Sequence, residues 1–431
     1  MACARSDAVW QADVYAPNSF LPFSVVIFPT PAIDQSVDTV EDAPVTATVD
    51  LGAIRHNVRV LQKQAGDANL MAIVKADAYG HGIRPVARVL HDEGVRHFGV
   101  ARLAEGIRLR NAGHTARILV LGAPSPEQLS QYAAHGLDLT ISSADIAAAV
   151  ARHATPSTPL RAHVNVDTGM GRIGVSPEDA PAIVSHLAET PGITLAGMWT
   201  HFATADTPGS GFAQTQLERF RAVVEALDVP VEHVHAANTG ALLTLGAPAQ
   251  CFPAPLVRTG IALYGLAATP ELSARLDLRP AMEVKARVTQ LKTVSAGTPV
   301  SYGAHWQAPR RTRIATLGVG YGDGYPRRGS GRASVRIAGT SRPVVGTICM
   351  DMCMIDLGPP NQPPAETVER GDEAVLFGPQ GPTVYDVAQW SETIPYEICC
   401  GVSPRVPRRY IPAADSPEPA PRSPSTLSSG I

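Results

Sequence analysis

Between about residues 70 and 258, short apolar segments alternate with segments of helical periodicity, and this alternation constrains the fold more than any other feature of the chain. The apolar segments have the length of buried strands, and the segments between them carry apolar residues at three- and four-residue spacing. The predicted strands are 70–75, 98–101, 117–121, 137–141, 160–166, 194–201, 231–236 and 256–258. The predicted helices are 81–92, 103–111, 127–135, 143–153, 177–189 and 212–226. Eight strands, each followed by a helix or crossover, predict a parallel (β/α)8 barrel, with an open doubly wound sheet as the alternative.

From about residue 280 the helical spacing gives way to alternating β-branched segments at 283–294, 312–318, 333–345 and 373–377. This pattern is typical of antiparallel strands and predicts a second, β-rich domain. One early strand, at 45–50, precedes the barrel, and we expect it to pair with that second domain. The predicted organisation is an N-terminal extension of low order (1–43), the barrel (44–280), the β-rich domain (281–411) and a disordered Pro- and Ser-rich tail (412–431).

Charge and cysteine content exclude several classes of partner. A formal net charge of −3 offers no basic surface for nucleic acid or an anionic membrane. The longest apolar segments fall well short of the ~20 residues that a membrane span requires. Six irregularly spaced cysteines are too few for a disulfide framework, which favours a reducing cytoplasm, and the adjacent Cys399 and Cys400 fit a zinc tetrahedron poorly. A small-molecule partner is therefore the expectation.

Polar side chains follow the predicted barrel strands at their carboxyl ends, where chemistry on this fold is located. They are Lys75, His201, Asn238, Thr239 and Arg258. Taken singly, a lysine after an apolar strand is usually solvated, and a lone histidine is usually a structural residue. Their coincidence at one barrel mouth predicts a functional site.

Lys75 begins the segment Lys-Ala-Asp-Ala-Tyr-Gly-His-Gly at 75–82, which is the strongest motif in the chain. A lysine desolvated at a barrel mouth has a lowered pKa and can attack an aldehyde. Tyr79, four residues later, is within reach of a ligand held there. The segment resembles the cofactor-lysine motif of the alanine racemases, which use pyridoxal 5'-phosphate on a barrel of this type. The resemblance covers about residues 44–411 and leaves only the two ends of the chain outside.

Further segments match this family in the same order along the chain. They are DTGMGR at 167–172, THFA at 200–203, RTGIALYG at 258–265, VSYG at 300–303, GYGDGYPR at 320–327, ICMDM at 348–352 and PYE at 395–397. So many ordered matches exclude coincidence. The resemblance implies a head-to-tail homodimer whose active sites are completed by the second domain of the partner subunit.

The resemblance also implies roles for single residues at the cofactor. The phosphate would be held by hydroxyls and backbone amides, which suffice without a basic cluster, and these belong to Tyr79, Thr239, Gly260, Ile261 and Tyr396. Arg258 would face the pyridine nitrogen. Because a guanidinium is not deprotonated, that nitrogen would stay unprotonated and the ring would be a weaker electron sink. His201 and Asn238 would complete the cofactor contacts.

Racemisation requires an acid or base on each face of the substrate carbon. By resemblance, Lys75 serves one face and Tyr302 the other, and His201 bridges Tyr302 towards Arg258. The substrate carboxylate would be bound by Arg172 and the amide of Met350, with Asp351 beside it at the entrance. The predicted reaction is the interconversion of L- and D-alanine.

One departure from the family pattern keeps neighbouring functions open. Many members carry a carbamylated lysine two residues before Asp167, where this chain has Asn165. An amide offers Arg172 only a neutral hydrogen bond, which is weaker than a charge-assisted one. A racemase of broader specificity, or one for serine or lysine, is therefore the main alternative. A non-catalytic pyridoxal phosphate carrier is a second, and the presence of Tyr302 and Met350 argues against it.

Overall fold

The computed structural model describes residues 43–207, 209–246, 252 and 254–413. The N-terminal extension predicted at 1–43 lies outside this part of the chain except for Ala43. The predicted tail lies outside it beyond Ala413.

Eight parallel strands form the first sheet, in the order β8-β7-β6-β5-β4-β3-β2-β9. Their bounds are β2 Asn69–Ile73, β3 His97–Val100, β4 Arg117–Val120, β5 Asp138–Ile141, β6 Leu160–Asn165, β7 Ile193–Trp199, β8 Val234–His235 and β9 Leu256–Thr259. Two parallel bridges, Val234 to Pro255 and Asn238 to Arg258, join β8 to β9 and close the sheet. The predicted (β/α)8 barrel is therefore confirmed, and the open sheet is excluded.

All six predicted helices are present, with ends shifted by a few residues, and the described part of the barrel has four more that were not predicted. Those of the barrel are α1 Leu51–Ala65, α2 Lys75–Tyr79, α3 Ile83–Asp92, α4 Leu103–Asn111, α5 Leu129–His135, α6 Ala144–His153, α7 Ala180–Ala188, α8 Phe212–Glu225, α9 Thr239–Thr244 and α10 Pro270–Ser273. Caps explain where some begin. The hydroxyl of Ser143 accepts a hydrogen bond from the amide of Ile146, which starts α6 after the serine.

The second sheet has eight strands in the order β13-β16-β15-β14-β17-β10-β1-β18. They are β1 Val45–Asp50, β10 Met282–Val294, β13 Thr312–Leu317, β14 Ser334–Ile337, β15 Thr340–Val345, β16 Cys353–Gly358, β17 Glu373–Phe377 and β18 Arg408–Ile411. A separate hairpin pairs β11 Pro299–Val300 with β12 Trp306–Gln307, and helices α11 Val384–Trp390 and α12 Pro395–Gly401 complete the domain. Most pairings are antiparallel, and β1 pairs with β10.

Two predicted strands differ in detail from the structure. The segment 333–345 is a hairpin of β14 and β15, because Ala338 and Gly339 both have positive φ, 45° and 73°, which turns the chain back on itself. The predicted strand 70–75 ends at Ile73, and Lys75 instead opens the turn α2. No helix among the described residues is long and apolar enough to cross a membrane.

Candidate active site

A cavity of about 520 Å³ lies at the carboxyl end of the barrel strands, within the size range of small-molecule sites. It brings together all the predicted cofactor residues and one predicted substrate residue. Those lining it are Lys75, Tyr79, Arg172, His201, Asn238, Thr239, Arg258, Gly260, Ile261 and Tyr396. A larger, more open groove of about 780 Å³ beside the 167–171 loop is lined by no lysine, histidine or tyrosine, so it lacks the groups needed for this chemistry.

Nine further residues line the cavity without having been predicted from the sequence, and three of them have polar or titratable side chains: Trp199, Asp206 and Cys400. Each of the three lies within five residues of His201 or Tyr396, which belong to recognised motifs. This closeness along the chain is the one sequence feature that could have indicated them. Burial raises the pKa of the Cys400 thiol, although the Lys75 charge opposes the rise.

The turn that carries Lys75 is left-handed. Ala76, Asp77, Ala78 and Tyr79 all have φ between 52° and 56°. Non-glycine residues in this region cost about 1–2 kcal/mol each, so the surrounding structure must stabilise the turn. Part of that support is the carboxylate of Glu105 in α4, which accepts the Ala76 amide at 2.6 Å.

The chain contains only four lysines, Lys63, Lys75, Lys285 and Lys292, and Lys75 alone lines the cavity. Burial, followed by the charge of Arg172, lowers the pKa of its amine. A larger share of the amine is therefore unprotonated at neutral pH than in a solvated lysine, which is the form that attacks an aldehyde.

This lowered pKa predicts the labelling behaviour of the ligand-free protein. In reductive methylation with formaldehyde across a pH series, followed by peptide mass spectrometry, the rate at Lys75 should reach half its maximum at lower pH than the rate at exposed Lys63. The reason is that only the neutral amine reacts. A midpoint for Lys75 at or above that of Lys63 would contradict the assigned environment.

Arg258 is 3% exposed and is held from several sides. Its Nη1 donates to His235 O at 2.7 Å and to His235 Nδ1 at 3.1 Å, and its Nη2 donates to Thr200 O at 2.7 Å and Ala236 O at 3.0 Å. Among the described residues, Nε–H has no acceptor. Burial and the nearby Arg172 lower the pKa of Arg258 to about 9, which leaves it charged at neutral pH.

His201 lies beside Arg258 in the neutral state. Burial, followed by the charge of Arg258, lowers the pKa of His201 to about 3. Its Nδ1 lies 3.4 Å from Arg258 Nη2, and because a guanidinium only donates, Nδ1 is the acceptor. The ring hydrogen is therefore on Nε2.

The hydroxyls of Tyr79, Thr239 and Tyr396 line the cavity. The Gly260 amide donates to Thr239 Oγ1 at 3.1 Å, so these two predicted residues lie in contact. A Cβ added at Gly260 would lie 2.7 Å from the hydroxyl oxygen of Tyr79, which shows why glycine is required there. Asn238 caps α9, accepting the Ala241 amide at 2.9 Å.

Pyridoxal phosphate fits this set of residues. The cavity contains one lysine amine, three hydroxyl groups that can bind phosphate, from Tyr79, Thr239 and Tyr396, and the free Nε–H of Arg258. Buried Trp199 also lines it, and the indole Nε1 has no hydrogen-bond partner in the described part of the chain.

Tyr302, Met350 and Asp351 do not line this cavity, as expected if they act on a partner subunit. Tyr302 is 72% exposed and Met350 is 53% exposed, and Asp351 pairs with Arg405 at 2.7 Å. Thr347 Oγ1 donates to the carbonyl of Tyr302 at 2.9 Å, which ties the Tyr302 turn to the 347–352 loop.

Asn165 lies at the end of β6, is 2% exposed, and its Oδ1 has no hydrogen-bond partner among the described residues. Arg172 is exposed at the cavity and forms no ion pair within the same part of the chain. Among the described residues, no protein anion pairs with Arg172 in the place of the carbamate that many family members carry.

Comparison with known proteins gives consistent matches over both domains. The model of the alanine racemase N-terminal domain matches residues 49–268, and that of the alanine racemase C-terminal domain matches residues 281–410. An alanine racemase of Deinococcus radiodurans is 43% identical over 366 residues, covering 84% of this chain and 98% of that protein. One of Desulforamulus reducens is 40% identical over 378 residues, covering 85% of this chain and 99% of that protein.

Solved structures of alanine racemases match the fold of this chain. An alanine racemase of Streptomyces coelicolor A3(2) superposes with a TM-score of 0.80 at 37% identity, covering 87% of this chain and all of that one (100%). The alanine racemase of the D-cycloserine producer Streptomyces lavendulae superposes with a TM-score of 0.77 at 39% identity, covering 86% and 97%. Both domains, the order of the motifs and the residues lining the cavity lead to the same assignment: the chain belongs to the alanine racemase family.

Proposed function

We propose that this protein interconverts L-alanine and D-alanine with pyridoxal phosphate bound in the barrel cavity. The observation that carries the proposal is the position of Lys75, the only lysine in the cavity that the buried cation Arg258 also lines. When bound, pyridoxal phosphate supplies an aldehyde for an amine to attack and a ring that withdraws electrons from the substrate α-carbon. The match to both domain models disfavours a carrier that has the barrel alone.

Some of the site residues would bind the cofactor and the substrate, and others would transfer protons. The hydroxyls of Tyr79, Thr239 and Tyr396 hold the phosphate. With pyridoxal phosphate bound, Arg258 would face the pyridine nitrogen and would keep that nitrogen unprotonated. Asn238 supports the phosphate region by capping α9, and the amides of Gly260 and Ile261 lie at the same end of the cavity.

Lys75 takes or gives the proton on one face of the substrate carbon, and Tyr302 of a second subunit does so on the other. His201 is neutral and carries its hydrogen on Nε2, so it can donate to the phenol oxygen of Tyr302 and favour its ionised form. Arg172, together with the Met350 amide of the second subunit, binds the substrate carboxylate, and Asp351 lies at the entrance.

The active unit is a head-to-tail homodimer in this proposal. Large apolar side chains of the second-domain motifs are exposed in the single chain: Tyr302, Tyr321, Met350 and Met352. Soluble proteins seldom expose such side chains together unless the surface is covered by a partner. The Gly322 amide donates to Met350 O at 2.8 Å, so the segments that carry Tyr321 and Met350 are in contact.

We further propose that the protein acts in the cytoplasm and supplies D-alanine for the cell wall. The four cysteines of the described residues, Cys349, Cys353, Cys399 and Cys400, are all free thiols, which is compatible with a reducing compartment.

The test is turnover of L-alanine, L-serine and L-lysine by the purified protein with pyridoxal phosphate, followed by chiral chromatography. D-alanine is expected as the main product, because the relatives that match over most of this chain are alanine racemases. Absence of every D-product would falsify the proposal, and faster formation of D-serine or D-lysine would change the substrate. Borohydride reduction of the loaded protein should leave the pyridoxyl group on Lys75 and on none of the other three lysines.

A further inference from the structure

A line of buried polar side chains continues behind Arg258 through the barrel interior. It consists of Asp138 at the start of β5, His163 on β6 and His235 on β8, each at most 3% exposed. His235 Nδ1 lies 3.1 Å from Arg258 Nη1, and His235 Nε2 lies 3.0 Å from His163 Nδ1. His163 Nε2 then lies 3.3 Å from Asp138 Oδ2. We call Asp138, His163 and His235 the relay.

Only one arrangement of hydrogens satisfies every contact of the relay. Because a guanidinium only donates, His235 Nδ1 accepts and its hydrogen is on Nε2. That hydrogen is donated to His163 Nδ1, so the hydrogen of His163 is on Nε2 and is donated to the Asp138 carboxylate. The reverse direction would need a proton on Asp138.

Charge states support this arrangement. Burial alone would raise the pKa of Asp138, but the hydrogen bond from His163 and the charge of the nearby Arg161 outweigh it, so the pKa is lowered and the carboxylate is ionised. Burial, followed by the Arg258 charge, lowers the pKa of His235 well below its ordinary value, so that ring is neutral. The relay therefore joins an anion to a cation through two imidazoles, of which His235 is neutral.

The barrel is shaped to hold the relay. A Cβ added at Gly197 of β7 would lie 2.4 Å from His163 Nδ1, so the glycine leaves room for His163 to reach across to His235. Two residues later on the same strand, Trp199 stacks on His235 with ring centroids 5.9 Å apart and an interplanar angle of 13°. The Arg258 guanidinium lies 5.0 Å from the Trp199 ring, a cation–π distance.

We propose that Asp138, His163 and His235 are positioning residues that orient the Arg258 guanidinium for the reaction and transmit the Asp138 charge to it through two imidazoles. This inference rests on the proposed function, which assigns Arg258 to the cofactor ring nitrogen. A carboxylate in direct contact would neutralise much of the Arg258 charge, since the attraction between charges falls with distance. With the imidazoles of His163 and His235 between the two charges, the Arg258 guanidinium is held in position but is not neutralised. Its positive charge therefore still acts on the cavity.

Neutron diffraction from deuterated crystals of the cofactor-free protein tests the relay directly. The expected result at neutral pH is a single deuteron on each imidazole, on Nε2 of both His235 and His163, and none on Asp138. A deuteron on His235 Nδ1, or a carboxylic acid at Asp138, overturns the proposal. This measurement needs no turnover, so failure of the relay and failure of the racemase assignment remain distinguishable.

Steady-state kinetics of the holoenzyme tests the effect of the relay on the reaction. His235→Leu should lower kcat by about 10- to 100-fold, the usual effect of removing an outer partner, with KM for L-alanine nearly unchanged. His235→Gln should recover most of this loss, because its amide oxygen accepts from Arg258 and its amide nitrogen donates to His163. Wild-type kcat in a folded His235→Leu variant, or an equal loss in His235→Gln, overturns the positioning role.

The contribution of the Asp138 negative charge is tested separately by Asp138→Asn. This variant keeps an oxygen acceptor for His163 and removes only the anion. It should lower kcat several-fold at constant KM, and wild-type kcat would overturn transmission of the charge. The control is His114→Gln, a partly buried histidine between α4 and β4 outside the relay, which should keep wild-type kcat. If His235→Leu does not fold, the glutamine and asparagine variants and the neutron measurement still decide the proposal.

Discussion

Lys75→Ala is expected to lower kcat for alanine racemisation by at least about 10³-fold, because the variant loses both the amine that attaches the cofactor and the base for one face. The turn that carries Lys75 does not depend on its side chain, since Glu105 accepts the backbone amide of Ala76. The variant should therefore fold, and its thermal midpoint should match that of the wild type. Coupled D-alanine detection measures the loss.

Two comparisons show whether the loss of activity is specific to the Lys75 amine. Lys292→Ala removes an exposed lysine of β10 and should keep wild-type turnover. Adding methylamine to Lys75→Ala should restore a small part of the activity, because a free amine can replace the missing base. Near-normal turnover by Lys75→Ala without added amine would reject the assignment of this residue.

Tyr302→Phe is expected to lower kcat by about 10²- to 10⁴-fold, the contribution typical of one acid or base. Tyr302 is 72% exposed in the single chain and its backbone is held by Thr347, so loss of the hydroxyl should leave folding and cofactor binding intact. Loss of racemisation with retained cofactor absorbance is the expected pattern. Full activity would exclude Tyr302 as the second base.

Mixing the two inactive variants tests the composite site. If Lys75 and Tyr302 of one active site come from different subunits, a dimer of one Lys75→Ala and one Tyr302→Phe chain contains one intact site. With random exchange in a two-fold dimer, about one quarter of the wild-type sites are restored. Reassembly from denaturant followed by an activity assay measures this. A mixture that remains inactive while forming mixed dimers would place both residues in one subunit.

Much of the fold could be predicted because its signals are local. The alternation of strand and helix periods depends on residues a few positions apart, and it predicted the eight-stranded barrel and most helix positions. The cavity residues were predicted from motifs that surround Lys75, His201 and Arg258. Trp199, Asp206 and Cys400 were missed because none of them has a distinctive chemical pattern of its own.

The left-handed turn after Lys75 could not be predicted in the same way. Ala76, Asp77 and Ala78 favour ordinary helix or strand, and an apolar segment before them suggests that the strand continues. The Glu105 carboxylate, 29 residues away, helps to stabilise the turn, and only the closed barrel brings α4 against it. Local preference was overridden by a tertiary hydrogen bond.

By itself, the sequence determined the barrel, the second domain, and the chemical groups that a pyridoxal phosphate site needs, because periodicity and motif spacing are carried by neighbouring residues. Only the tertiary structure decided the state of those groups. Burial lowers the pKa of Lys75 and leaves His201 neutral, and barrel closure joins Asp138, His163 and His235 behind Arg258. Desolvation and hydrogen bonding depend on which side chains meet in space, and strands far apart in the chain supply them.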